Sequence, residues 1–156
     1  MKPDKVLTLG WREWVGLPDI GLPSIKAKVD TGARTSALHA FEIETFTELG
    51  KPRVRFRIHP NQRESDTVVT CVADIVDERK VTDSGGHSEK RVIIETLLTI
   101  GSWSWPIEMT LTARDNMMFR MLLGRTAIND IAIVNPAVSY RVGKRPVKNT
   151  QEIKEK

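Results

Sequence analysis

The sequence is poor in residue types that mark several large classes of proteins. Its 156 residues include a single cysteine, Cys71, which excludes an intrachain disulfide framework and a multi-cysteine zinc ribbon. No apolar run approaches the roughly 18 residues that a membrane-spanning helix needs. The N-terminal segment, which begins Met1-Lys2-Pro3, lacks the apolar core and the small-residue cleavage site of a signal peptide. We therefore expect a cytoplasmic protein that does not contact a membrane.

Aromatic residues are scarce as well, at 6%, and the net charge of +4 is unevenly placed along the chain. Residues 141–156 hold six of the 24 basic and two of the 20 acidic side chains, which leaves 18 of each in residues 1–140. The sequence therefore predicts one neutral folded domain over residues 1–140 and a basic, flexible tail over residues 141–156. Nucleic acid is not expected as a partner, because single-strand binding needs aromatic side chains beside a basic groove.

Alternating and β-branched segments dominate what the chain does contain. In residues 53–58, three apolar side chains alternate with three arginines, which is typical of a half-buried strand. Further strands are predicted over residues 25–29, 68–75, 91–100 and 107–111. The helical signal is limited to residues 125–129, directly after a glycine. This spacing predicts an all-β domain, a small barrel or sandwich, with one short helix.

A carboxylate stands where one of the apolar strands ends. Asp30 follows the strand predicted over residues 25–29 and is itself followed by Thr31 and Gly32. A carboxylate in such a place costs free energy unless it is paired or hydrogen-bonded. Gly32 can turn its N–H toward the carboxylate, and Thr31 supplies a hydroxyl. Two interpretations are open here: an aspartate held rigidly in a cleft, or an ordinary turn of Asp, Thr and Gly.

A second motif, Met121-Leu122-Leu123-Gly124-Arg125, follows later in the chain. In this order the two motifs resemble those of the retropepsins, the retroviral-type aspartic proteases. Residues 29–40 are still more similar to a bacterial retropepsin-like group that is labelled an ATP-dependent zinc protease and associated with a glutamate ligase. The resemblance extends over roughly residues 8–140 and implies a small closed β-barrel. It also implies the roles of the site residues: Asp30 is catalytic, Thr31, Gly32 and Ala33 form the loop scaffold, and Gly124 and Arg125 support the loop.

Aspartic proteolysis uses two carboxylates that share one proton, because like charges a few ångströms apart do not both ionise. One carboxylate acts as general base on a water molecule and the other as general acid on the peptide carbonyl. Because the chain has one Asp-Thr-Gly, a competent site requires Asp30 from each subunit of a C2 homodimer, as the resemblance also implies. The polar hairpin tip over residues 83–90 is a candidate flap. The alternative function is a non-catalytic peptide-binding module on the same fold.

Arg34 departs from the viral pattern, in which an acidic residue at this position pairs with the arginine that corresponds to Arg125. Two arginines would meet here, so Glu108, Asp115 or a substrate carboxylate would have to compensate. We predict that Arg34, together with lysines of residues 25–29, makes the cleft electropositive and selects acidic peptides. The association of the family with glutamate ligation makes acidic tails an attractive substrate.

The zinc label can be tested against the available ligands. The three histidines, His39, His59 and His87, include no pair at i, i+4 and no His-Glu-x-x-His motif. A catalytic zinc uses three protein ligands and an open position, and nothing in the spacing brings these histidines together with Cys71. We therefore expect no metal and no cofactor. His39 is predicted either to line the cleft or to serve a structural, hydrogen-bonding role, and Cys71 is predicted to be a buried thiol.

Overall fold

The structure, a computed structural model, describes residues 6–61, 66–82, 85–86, 88–113 and 118–143. Strands dominate these residues, which confirms the all-β class. The strands are β1 (Leu7–Leu9), β2 (Arg12–Leu17), β3 (Leu22–Val29), β4 (Ser36–His39), β5 (Phe41–Glu48), β6 (Lys51–Ile58), β7 (Val69–Thr82), β8 (Ser88–Ile100), β9 (Trp103–Thr112), β10 (Met121–Leu123) and β11 (Ala132–Val134). The described part of the chain also has one α-helix, α1 (Arg125–Ile128), and one 3-10 turn (Pro18–Ile20). Neither is long and apolar enough to cross a membrane.

Six of the strands close into a barrel, which confirms the predicted small closed β-barrel. Their order around the ring is β2–β3–β10–β4–β9–β8, and β8 returns to β2 through the pair Gly16 and Thr99. The short strand β10 is parallel to β3 and antiparallel to β4. The ends of β3 and β10 and the start of β4 therefore meet at one edge of the barrel. This edge carries residues 30–35 and Gly124, which the two sequence motifs contain.

Strand alternation builds the core, as strand β6 shows. Val54, Phe56 and Ile58 are fully buried, because alternate side chains of a strand point to the same face. The three arginines on the other face pair with glutamates of the neighbouring strand β5. The ion pairs are Arg53 with Glu48 at 2.8 Å, Arg55 with Glu44 at 3.3 Å and Arg57 with Glu42 at 3.3 Å. Exposed pairs of this kind stabilise the fold by at most about 1 kcal/mol, but charges on an edge strand oppose unwanted strand pairing.

The hairpin of β7 and β8 extends beyond its neighbours. Strand β6 pairs with β7 only as far as Asp74, and β9 pairs with β8 only from Ile93 onward. The register shifts between Ile75 and Asp77, and a β-bulge of this kind bends a strand. Past the bulge, residues 77–80 and 88–90 are exposed on both faces. This two-stranded ribbon leads to the predicted flap, whose residues 83, 84 and 87 lie outside the described ranges.

The first residues of the predicted tail lie against the barrel. The backbone N–H groups of Arg141 and Val142 donate to the carboxylate of Glu13 on β2. Val142 is partly buried against the core. Residues 144–156, which carry most of the basic charge of the tail, lie outside the described residues, so the flexible tail stays a prediction.

Candidate active site

Backbone hydrogen bonds hold the loop that carries Asp30. The Asp30 N–H donates to the carbonyl of Leu123 at 2.8 Å, and the Ala33 N–H donates to the carbonyl of Asp30 at 3.1 Å. The carboxylate oxygen Oδ1 accepts the Gly32 N–H at 3.1 Å. Asp30 is half-buried, whereas Thr31 and Gly32 are exposed. The sequence-based interpretation of Gly32 as a donor to the carboxylate therefore matches the geometry.

The second motif holds this loop from behind. The N–H of Arg125 donates to the carbonyl of Ala33 at 2.8 Å, and the N–H of Thr126 donates to the carbonyl of Arg34 at 2.9 Å. The guanidinium of Arg125 donates to the carbonyl of Thr31 at 2.9 Å. These bonds satisfy loop carbonyls that secondary structure leaves unpaired. The structure thus brings Gly124 and Arg125 together with the Asp-Thr-Gly-Ala loop.

Gly124 also makes a close approach that requires glycine. Its N–H donates to the buried hydroxyl of Ser36 at 2.9 Å. A Cβ atom at position 124 would lie 2.5 Å from the carbonyl carbon of Thr35 and 2.7 Å from the backbone nitrogen of Ser36. The start of β4 and the start of α1 are therefore packed backbone against backbone beside the loop.

Arg34 lines a cavity of about 330 Å³ beside the loop, whereas the guanidinium of Arg125 is bonded to the carbonyl of Thr31. Thr35 and Thr126 contribute to the same cavity, and the remaining lining residues are Arg79, Glu95, Pro106, Ile107 and Glu108. Glu95 on β8 and Glu108 on β9 stand directly opposite each other in the register. Within the described part of the chain, Arg34, Glu95 and Glu108 form no ion pair. Glu108 thus lines the same cavity as Arg34, but its role as the compensating carboxylate stays a prediction, and Asp115 lies outside the described residues.

Sequence reasoning did not find Arg79 and Glu95 as cavity residues. Glu95 carries a weak signal, since it is a charge between the apolar residues 92–94 and 97–98 of β8, but Arg79 lies in a highly charged stretch and carries none. Arg79 also pairs with Asp77 at 2.9 Å. Both residues reach the cavity only because β7, β8 and β9 lie side by side.

Two lysines share one face of the strand that leads into Asp30. Lys26 and Lys28 are two residues apart, so they point to the same face of β3. Lys28 is exposed and stands opposite Arg12 on β2. Lys26 lies 5.4 Å above the ring of Trp14. This face of β3 is therefore basic.

His39 lies away from the Asp30 loop. It is the last residue of β4, three residues beyond Ser36, which corresponds to about 10 Å along a strand. His39 is buried, with 5% of its surface exposed, and its backbone N–H donates to the carbonyl of Arg120 at 2.8 Å. The structure therefore places His39 in the barrel wall rather than beside the carboxylate.

The described histidines and the cysteine do not form a metal centre. The described residues contain no cluster of three or more His, Cys, Asp or Glu side chains with the geometry to hold an ion. His59 stacks on Phe41 with ring centroids 4.5 Å apart, and Cys71 is buried on β7. Burial raises the pKa of the Cys71 thiol to about 12, so this side chain is an apolar core residue rather than a nucleophile.

A closed six-stranded barrel whose Asp-Thr-Gly-Ala loop is braced by a Gly-Arg turn defines a retropepsin-like protein. The chain belongs to the family described as "Retropepsin-like aspartic endopeptidase RimB", whose family model matches residues 8–145. The resemblance that the two motifs indicated is thereby confirmed.

Two curated relatives are each named "Probable alpha-L-glutamate ligase", in agreement with the predicted glutamate-ligase association. The protein from Shewanella pealeana is 42% identical over 142 residues, which cover 91% of this chain and 31% of that protein. The protein from Desulfotalea psychrophila is 44% identical over 136 residues, which cover 87% of this chain and 29% of that protein. The chain thus matches less than a third of the length of these relatives.

A solved structure shares the fold. A crystal structure of a protein of unknown function from Legionella pneumophila superposes with a TM-score of 0.73 at 28% sequence identity. The match covers 87% of this chain and 98% of that chain. Nearly the whole of the Legionella chain therefore shares this fold.

Proposed function

We propose that the protein is an aspartic endopeptidase whose active site combines two copies of Asp30, one from each subunit of a homodimer. The observation that carries the proposal is the braced loop. It presents a half-buried carboxylate that accepts the Gly32 N–H and forms no ion pair with the described residues. The coarser conclusion, membership of the retropepsin-like family, supports this reaction.

The proposed reaction balances with two carboxyl groups and one shared proton. The ionised Asp30 takes a proton from water as the water oxygen attacks the peptide carbonyl carbon, and the protonated Asp30 donates its proton to the carbonyl oxygen. In the second step the Asp30 that took the water proton donates it to the leaving nitrogen as the C–N bond breaks, and the other Asp30 accepts a proton from one hydroxyl of the tetrahedral intermediate. The products are a carboxylic acid and an amine, and the pair of carboxyl groups again holds one proton.

The need for a second subunit follows from the single loop per chain. Thr31 and Gly32 at the loop tip are exposed and so can meet the same loop of a partner. Elsewhere on the surface, Val6 and Ile133 beside the β1–β11 pair are 66% and 60% exposed, apolar residues that a partner would cover. A competent site would have both loops across the two-fold axis.

The test of this proposal is the mass of the protein in solution together with peptide cleavage. At micromolar concentration we expect a species of twice the 17.6 kDa chain mass, and cleavage activity that falls on dilution together with the dimer. Analytical ultracentrifugation and a fluorogenic peptide library measure the two quantities. A monomer that cleaves peptides would overturn the dimeric site. A monomer or dimer that binds peptides without cleaving them would favour the alternative, a peptide-binding module.

We further propose that the enzyme prefers acidic peptides. Lys26 and Lys28 share one face of β3, the strand that ends directly before Asp30, and Arg34 lines the cavity next to the loop without a described ion-pair partner. Glu95 on β8 and Glu108 on β9 also line the cavity and would repel an acidic side chain. The preference for acidic peptides is therefore expected only in the part of the cavity near Arg34. The relatives' names concern the ligation of glutamate, so a glutamate-rich chain is the substrate class that fits this charge.

Arg34→Ala is expected to lower kcat/KM for acidic peptides by about fivefold and to leave neutral peptides unchanged, since an exposed charge pair contributes up to about 1 kcal/mol. Raising the salt concentration should reduce the difference. Cleavage profiling of a random peptide library measures it. Lys51→Ala, which removes an exposed cation from the β5–β6 hairpin, serves as the control. An unchanged profile in Arg34→Ala would rule out this role of Arg34.

A further inference from the structure

The barrel wall has a seam between β2 and β8. Strand β2 pairs along most of its length with β3, but a single pair, Gly16 and Thr99, joins it to β8. Residues 135–143, here named the strap, cover the open edge instead. The N–H of Trp11 donates to the carbonyl of Val138 at 2.8 Å, and the N–H of Tyr140 donates to the carbonyl of Arg12 at 2.9 Å. Two backbone hydrogen bonds therefore hold the strap, which is not itself a strand, along the start of β2.

Glu13 fastens the end of the strap. Its side chain is fully buried, with 0% exposed. One carboxylate oxygen accepts the N–H groups of Gly10 at 2.6 Å and Arg141 at 2.8 Å, and the other accepts the N–H of Val142 at 3.2 Å. A buried carboxylate is costly unless such bonds compensate it, and bonds to an ionised acceptor are stronger than neutral ones. One side chain thus joins three backbone positions from the two ends of the chain.

Side chains add to this attachment. The guanidinium of Arg12 lies 4.5 Å from the ring centroid of Trp11 and 4.9 Å from that of Tyr140. Its Nε donates to the hydroxyl of Ser139 at 3.2 Å. At the other end, a Cβ atom on Gly10 would lie 2.4 Å from the carbonyl oxygen of Val138, so this close approach requires glycine.

The strap connects to the Asp30 loop through Trp11. Trp11 donates its N–H to the strap and accepts the N–H of Val29 with its carbonyl at 2.8 Å. Val29 is the last residue of β3 and directly precedes Asp30. The backbone of Trp11 therefore lies between the strap and the residue that carries the candidate catalytic carboxylate.

We propose that Glu13 is a positioning residue: it anchors the strap to β2, and the strap, through Trp11, fixes the end of β3 and hence Asp30. The effect on catalysis rests on the proposed peptidase function. The structural coupling between Glu13 and Val29 does not depend on that function, since it concerns only how firmly the backbone at Val29 is held.

Glu13→Gln tests the coupling at nearly constant volume. The amide keeps one acceptor oxygen, but its NH2 group must face a backbone N–H, so at least one of the three bonds is lost. We expect the amides of Arg141 and Val142 to exchange with deuterium about ten- to a hundredfold faster, as for the loss of a charge-assisted hydrogen bond. The Val29 amide should accelerate by about tenfold with them. Residue-resolved exchange by NMR measures these rates.

Unchanged exchange at Val29 beside faster exchange at Arg141 and Val142 would overturn the proposal, and so would unchanged exchange at all three. The control Glu44→Gln removes a carboxylate that is exposed on β5 and should alter none of these rates. If Glu13→Gln does not fold, Tyr140→Leu loosens the strap without touching the carboxylate. The same pattern is then expected, and its absence contradicts the coupling.

A kinetic measurement separates positioning from stability. Below the unfolding temperature, Glu13→Gln should lower kcat by about tenfold and leave KM unchanged, because the carboxylate is displaced while the cleft remains. A raised KM with unchanged kcat would contradict positioning. If the wild-type protein cleaves no peptide, the proposed function fails, while the exchange rates at Val29 still decide the coupling.

Discussion

Asp30→Asn is expected to lower kcat/KM for peptide cleavage by about 10⁴-fold, the scale seen when a group essential to acid–base chemistry is removed. The asparagine oxygen can still accept the Gly32 N–H, so the loop should keep its shape. The neutral amide, however, cannot take a proton from water. The loss should therefore appear in kcat, with the thermal unfolding temperature nearly unchanged.

The matched control for this variant is Asp19→Asn. Asp19 is exposed in the 3-10 turn, and its substitution makes the same chemical change away from the loop. It should leave the cleavage rate within twofold of the wild type, by the usual behaviour of surface substitutions. If Asp30→Asn retains cleavage within about tenfold of the wild type, another group activates the water, and the proposed mechanism is wrong.

Mixed dimers give a sharper result from the same variant. When equal amounts of wild-type and Asp30→Asn subunits exchange at random, half of the wild-type subunits enter mixed dimers. If both carboxyl groups are needed, the activity falls to about half that of the wild type alone. Activity that stays at the wild-type level would show that one Asp30 per dimer suffices.

Gly124→Ala is expected to destabilise the protein by about 2–3 kcal/mol, the range for overpacking a close-packed site. The backbone at Gly124 has φ −89° and ψ 174°, which alanine adopts without strain. The cost is therefore steric: the added methyl group would press on the backbone of Thr35 and Ser36. For a chain of this size, such a loss lowers the unfolding temperature by several degrees, about 2–4 °C per kcal/mol.

Gly50→Ala is the control for the unfolding temperature of Gly124→Ala. Gly50 has φ +77° and open space around it, so alanine there meets only the left-handed backbone penalty of about 1 kcal/mol. Gly124→Ala should also reduce cleavage, because Thr35 and Ser36 directly follow the loop of the carboxylate, whereas Gly50→Ala should not. Equal destabilisation by the two substitutions would contradict the close-packing explanation.

Local patterns made much of the fold predictable. The alternation in residues 53–58 corresponds to β6, with its apolar face buried and its arginines outside. The strand predicted over residues 91–100 covers all of β8 except its first three residues, and the helix predicted over 125–129 is α1. Such patterns are visible because burial alternates with a period that a few consecutive residues reveal. The strand β5 was missed, because its glutamates and threonines face solvent and leave little apolar periodicity.

The sequence by itself determined which residues form the candidate site and which family the chain joins. Two short motifs contain these residues, namely Asp30, Gly32, Gly124 and Arg125. Such motifs can be recognised in the sequence because each specifies a local backbone conformation with a few consecutive residues. The presence of only one such loop per chain also followed from the sequence.

The tertiary structure alone decided how distant residues meet. Arg34, Arg79 and Glu95 share a cavity because three strands align beside the loop. Glu13 binds the N–H groups of Arg141 and Val142, which are 128 and 129 positions away along the chain. A buried glutamate reads in the sequence as an ordinary surface charge, since its partners are backbone N–H groups that carry no residue identity. Contacts of this kind depend on how distant segments pack in the tertiary fold, and no local sequence pattern indicates that packing.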